Sequence, residues 1–173
     1  LVISDLLRME LKFVENKGPV FDYPISTHKD LDKIANPDSV DKLEYVFKTI
    51  KLIKDELNNK IPLIGFIGSP WTVATYLIEG DSSKKFVKVL KILKDDETLI
   101  ERLLNQITTI SIEYLQKQVS CGVDITMIFD TWGSLLNNHQ YEKFSLKYVR
   151  KIKESLKLQG VPLIYYSRCL KNK

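Results

Sequence analysis

Residues 61–72 read IPLIGFIGSPWT, an apolar run, 61–67, that breaks into the polar, glycine-flanked turn Gly68-Ser69-Pro70-Trp71-Thr72. A short, almost unbroken apolar run bounded by such a turn is the pattern of a buried strand in a parallel sheet. A shorter helix follows it near 71–79 and another near 83–93. One strand followed by helices is half of a repeating unit, and the rest of the chain is read by asking whether the unit recurs.

It does. Residues 1–4 (LVIS), 123–129 (VDITMIF) and 161–166 (VPLIYY) are apolar runs of the same kind. All four are near-continuous rather than alternating, as expected of strands covered on both sides. Helical patterns lie between them. Asn36-Pro37 offers a cap and a first-turn proline, and Val40, Leu43, Phe47, Ile50, Ile53 and Leu57 then recur at three- or four-residue spacing. Leu99, Leu103, Ile107, Ile110, Tyr114 and Leu115 mark a second long helix that Gly122 should stop. Tyr141, Phe144, Tyr148, Ile152 and Leu156 mark a third, beginning near Asn138 and ending at Gly160. Residues 8–26 alternate and turn at Lys17-Gly18-Pro19, a small β excursion. Strands alternating with helices predict an α/β fold with a parallel sheet and helices outside it.

The chain has 173 residues, enough for a core but short of the roughly 250 that a closed (β/α)8 barrel needs. With 44% apolar and 28% charged residues it has the composition of a globular protein, not a disordered one. The net charge of +4 comes from lysines spread along the chain, with arginine only at Arg8, Arg102, Arg150 and Arg168. That distribution argues against a nucleic-acid surface. Cys121 and Cys169 are far apart and form no CxxC, so neither a disulfide framework nor a structural zinc site is expected. No run approaches the roughly 18 apolar residues of a membrane span, and the first residues lack the basic start and cleavage site of a signal peptide.

In parallel α/β folds, chemistry gathers at the carboxyl ends of the strands. Those ends are Ser4-Asp5, the turn 68–72, Asp130-Thr131-Trp132-Gly133 and Ser167-Arg168. Asp5 would be a partly desolvated carboxylate at a strand end, or alternatively the cap of a helix beginning at Leu6. Tyr76 could turn its hydroxyl to the same face, or be a core tyrosine with a satisfied hydroxyl. Asp130 and Thr131 should point to opposite faces, so only one can meet a ligand. His28 and His139 lie in polar, turn-like context and read as surface residues. The lysines of 84–94 and 147–157 read as solvated helix faces.

These segments resemble the uroporphyrinogen decarboxylase family. PLIGFIGSPWTVATYLIEG (62–80) is similar to that family's signature almost position for position. ISDLL (3–7), LEYVF (43–47) and IFDTWGSLL (128–136) resemble further family segments in the same order, in a form that looks bacterial. The resemblance implies part of a (β/α)8 TIM barrel, about four consecutive βα units, forming one incomplete domain over 1–173. It implies a carboxy-lyase that works without cofactor or metal and converts uroporphyrinogen III to coproporphyrinogen III by removing CO2 from four acetate side chains. By position, Asp5 matches the family's catalytic aspartate. Tyr76 and Thr131 match its substrate-binding tyrosine and serine/threonine, and Phe66 a pocket phenylalanine. A cytoplasmic homodimer, with neither nucleic acid nor membrane as partner, is also implied.

The resemblance leaves gaps. The family's arginine-bearing R-Q-A-G-R-Y segment and its histidine segment lie outside this sequence, which reads as a central portion and is expected to be inactive alone. Asp81 replaces a usual glycine, and Ser167-Arg168-Cys169 replaces a usual [ST]-K-G. Two rival readings are a zinc-dependent corrinoid or thiol methyltransferase of the same barrel superfamily and a non-catalytic truncated product.

Overall fold

The structure, a computed structural model, describes residues 2–15, 18–81, 85–157 and 160–168. Its centre is a parallel sheet of three strands, β3 (Ile64–Gly68), β4 (Ile125–Asp130) and β5 (Leu163–Ser167), in the order β3-β4-β5. Ile64 lies opposite Ile125 and Gly68 opposite Phe129; Thr126 lies opposite Leu163 and Asp130 opposite Ser167. This register aligns the carboxyl ends of all three strands. The apolar runs at 61–67, 123–129 and 161–166 are therefore strands, shifted by one to three residues toward their polar ends.

The first run is not a strand. Residues Ile3–Leu6 form a helical turn, α1, and Ile3, Leu6 and Leu7 are buried on one side of it. Spacings of three and four make a helix face as readily as a strand, and so short a run is ambiguous by pattern alone. A left-handed Arg8 (φ 56°) ends the turn. The chain then forms the expected β excursion, an antiparallel hairpin of β1 (Leu11–Val14) and β2 (Gly18–Phe21). Lys17, at its expected turn, lies outside the described residues.

Between the strands run α2 (His28–Lys33), α3 (Glu44–Leu57), α4 (Pro70–Glu79), α5 (Val87–Asp95), α6 (Glu97–Ser120), α7 (Asn138–Tyr141) and α8 (Lys147–Lys157). Helical structure before α3 starts at Val40, in a 3-10 turn capped by the Ser39 hydroxyl, rather than at Asn36-Pro37. The central helix α6 starts where the Asp96 carboxylate accepts from the Leu99 amide (3.1 Å). It stops before Gly122, whose φ of 102° is the left-handed turn that glycine takes without strain. Leu99, Leu103, Ile107, Ile110, Tyr114 and Leu115 are all buried along it, packed against α4, α5 and α8. Each fully buried Leu or Ile of this stripe contributes about 1.5–3 kcal/mol. No helix among the described residues is long and apolar enough to cross a membrane.

The expectation that the strands are covered on both sides is corrected. In β3, Gly65 and Ile67 are buried while Ile64 and Phe66 are exposed. In β4, Thr126, Ile128 and Asp130 are buried, and the intervening residues are half-exposed. Among the described residues, helices cover one face, and the other is apolar and bare. Phe66, Phe129 and Tyr166 stack edge to face across it, at centroid distances of 5.8 and 6.1 Å. The runs are apolar on both sides even though only one side is packed here.

Candidate functional site

The strand ends form one hydrogen-bonded unit around Asp130. Its side chain lies on the helix-covered face and is fully buried. One carboxylate oxygen accepts from the Ser69 hydroxyl (2.7 Å) and the Thr72 hydroxyl (3.1 Å). The other accepts from Ser145 (2.6 Å) and Tyr165 (2.8 Å). Four donors fill the acceptor capacity of a carboxylate. Among the described residues no lysine or arginine is paired with it. Burying such a group costs several kcal/mol. Hydrogen bonds to charged groups return about 1.5–3 kcal/mol each, and the adjacent N-terminus of α4 adds a favourable dipole.

Each donor is placed by local structure. Ser69 follows β3 and caps α4 by accepting from the Thr72 amide (3.0 Å), with Pro70 in the first turn. Ser145 belongs to a π-helical stretch, Glu142–Leu146, between α7 and α8. Such stretches recur at functional sites, and this one buries Phe144 and Ser145 together. Tyr165 points inward from β5, and Tyr141 from α7 lies 2.6 Å from its hydroxyl and 2.7 Å from the Ser167 hydroxyl. Burial, the largest cause, pushes the Tyr165 phenol far above its ordinary value, so it stays a neutral donor.

The turn after β4 is tied to the same unit. The Trp132 amide donates to the Thr72 hydroxyl (3.3 Å), and the Trp71 indole donates to the Trp132 carbonyl (3.0 Å). Gly133 leaves the needed space: a Cβ there would sit 2.8 Å from the Asp130 carboxylate and 2.9 Å from the Ser167 hydroxyl. Thr131, the first residue of the turn after β4, is half-exposed.

The residues expected to carry function are partly gathered. Tyr76 is half-buried on α4 and meets the Trp132 ring edge to face at 6.2 Å, next in sequence to Thr131. Phe66 lies on the bare sheet face. Asp5 stands apart from these contacts. It is exposed within α1, neither at a strand end nor capping a helix, and borders a depression with Arg8, Met9, Lys42 and Tyr45. Val2 and Ile3 of its turn line a groove of about 340 Å3 with Ile50, Phe66 and Tyr114, which Asp5 itself does not border.

His28 is more engaged than its sequence context suggests. It opens α2, with Nε2 3.1 Å from the Asp96 carboxylate and Nδ1 2.7 Å from the Arg102 guanidinium. Lys147 and Lys151 lie over the Tyr148 ring at 5.5 and 5.2 Å. Cys169 and Lys84 lie outside the described residues. Among the described residues no group of three or more His, Cys, Asp or Glu side chains is arranged to hold a metal ion. Ser145, Tyr165 and Tyr141 were not singled out as site residues from the sequence. The strand-end positions 68–72, Asp130-Thr131 and Ser167 are what pointed toward this cluster from the sequence.

Comparison with known proteins agrees with the signature. The family model "Uroporphyrinogen decarboxylase (URO-D)" matches residues 1–171. A uroporphyrinogen decarboxylase of Ruthia magnifica is 46% identical over 157 residues, covering 91% of this chain and 45% of the relative. One from Vibrio cholerae is 42% identical over 156 residues, covering 90% of this chain and 44% of the relative. The chain thus spans about half the length of the curated relatives it matches. Among solved structures, a methyltransferase from Methanosarcina mazei superposes with a TM-score of 0.66 at 20% identity, covering 95% of this chain and 48% of that one, which is a likeness of fold. On the extent of the family match, this chain belongs to the uroporphyrinogen decarboxylase family.

Proposed function

We propose that this chain is a catalytic portion of an enzyme that decarboxylates the four acetate side chains of uroporphyrinogen III to give coproporphyrinogen III. The observation that carries the reading is the family match over residues 1–171. The exposure of Phe66 on the sheet face and of Thr131 just past the end of β4 supports it. The three parallel strands are an arc of a (β/α)8 barrel, and the bare apolar face is the inner wall. A cytoplasmic homodimer is the expected assembly of the complete protein.

The chemistry needs a place for an electron pair. Protonation of a pyrrole carbon makes the ring cationic. Loss of CO2 from the adjacent acetate delivers its electron pair to that ring, a second proton completes the methyl group, and the ring carbon then releases the first proton to restore the pyrrole. A fixed carboxylate near the pyrrole nitrogens stabilises the cation by preorganisation. Asp5 takes that role by its match to the family's aspartate, and its exposed side chain is open to a substrate. Tyr76 and Thr131 donate hydrogen bonds to substrate carboxylates, while Phe66 packs against the macrocycle.

The test is turnover of uroporphyrinogen III, followed by separation of the products. The complete protein containing this chain should form coproporphyrinogen, and the 173-residue piece alone should not. An inactive complete protein would overturn the assignment.

A further inference from the structure

Among the described residues, Thr131 makes no side-chain hydrogen bond of its own. It follows the last residue of β4 and is half-exposed. Its neighbours, by contrast, are tied down on both sides. Asp130 before it takes four hydroxyl bonds from α4, the π-helical stretch and β5. Trp132 after it is bonded through its amide to Thr72 and through its carbonyl to Trp71. The Thr72 hydroxyl serves both sides, donating to Asp130 and accepting from Trp132.

We propose that Asp130 is a positioning residue: its buried carboxylate, acting through Thr72 and the strand end, fixes where Thr131 meets the substrate. This rests on the function proposed above. Asp130 cannot touch the substrate itself, because it is fully buried on the helix-covered face. A hydrophobic residue of similar size would fill the space but leave four hydroxyls without their common acceptor. Small displacements of a substrate-positioning group carry large rate penalties, since oriented binding supplies much of the barrier reduction.

The test uses the complete protein. Asp130→Asn keeps the side-chain shape but replaces one acceptor oxygen with a donor, so two hydroxyls must turn. Thr131→Val removes the contact that Asp130 is proposed to place. We expect Asp130→Asn to lower kcat/KM at least tenfold and to change the same parameter, KM or kcat, as Thr131→Val. The double variant should be no worse than the more impaired single variant, because both remove one interaction. Tyr165→Phe, which keeps the carboxylate and removes one donor, should give a smaller loss in the same parameter. It also serves as the readout if Asp130→Asn fails to fold. Losses that multiply in the double variant, or a fall in kcat at unchanged KM beside a Thr131→Val change in KM, would overturn the proposal.

Amide hydrogen exchange separates this result from a failure of the functional assignment. Protection at residues 131–133 should fall in Asp130→Asn, or in Tyr165→Phe, while that of α6 is unchanged, whether or not the protein turns over uroporphyrinogen. Unchanged protection there would overturn the positioning role.

Discussion

The Ser69 hydroxyl and the Asp130 carboxylate meet at 2.7 Å across the ends of neighbouring strands, and both are fully buried. The same hydroxyl oxygen accepts from the Thr72 amide at 3.0 Å. One side chain thus caps a helix and satisfies a buried anion.

Ser69→Ala should therefore cost more than an ordinary cap. Loss of the cap is worth about 1 kcal/mol, and withdrawal of a donor from a buried carboxylate about 1–3 kcal/mol. The expected destabilisation is about 2–4 kcal/mol, measured by urea unfolding of the complete protein. A loss no larger than that of a surface cap such as Ser39→Ala would show that Asp130 does not depend on Ser69.

Acid should weaken the link between α3 and the start of β4. Lys54 donates to Asp124 at 2.6 Å, and the same carboxylate accepts from the Leu63 amide at 2.8 Å. The Lys54 hydrogen bond first, and the Leu63 amide second, hold Asp124 below the ordinary carboxylate value. A carboxylate with a lowered folded pKa contributes stability that is fully present above its unfolded value. That contribution is lost as pH falls below about 4, through the folded pKa. Asp124→Asn should therefore remove part of the dependence of stability on pH below about 4. Unfolding curves that keep the wild-type slope there would refute this.

The bare sheet face should make the 173-residue piece associate with itself. Phe66 is 61% exposed and Tyr166 48%. Contiguous apolar surface on a parallel sheet with free edges favours association. Phe66→Lys with Tyr166→Lys should lower the particle mass seen by light scattering. A wild-type piece that scatters as a monomer would contradict this.

Asp5→Asn should separate activity from stability. The side chain is exposed and its helical turn is anchored by Ile3, Leu6 and Leu7. Stability of the complete protein should change by less than about 0.5 kcal/mol, while most uroporphyrinogen turnover disappears. Wild-type turnover would remove Asp5 from the mechanism.

Much of the architecture was legible in local patterns. The stripe from Leu99 to Leu115 and the glycine at 122 predict α6 and its end, because helix period and left-handed turns are properties of a short window of chain. The runs near 64–68, 125–130 and 163–167 are legible as strands for the same reason. Residues 1–4 were not, since so short a run suits either period.

What the amino-acid sequence determined alone was the alternation of helices and strands, the family signature around 62–80, and the candidates at the strand ends. What only the tertiary structure decided was direction. The pattern predicts that the adjacent Asp130 and Thr131 face opposite ways, yet nothing local says which faces the helices. That choice follows from Ser69, Thr72, Ser145 and Tyr165, up to 61 residues away in the chain, converging on one carboxylate. Burial of a charge is affordable only where such donors meet, and their meeting is a property of packing rather than of any short stretch of sequence.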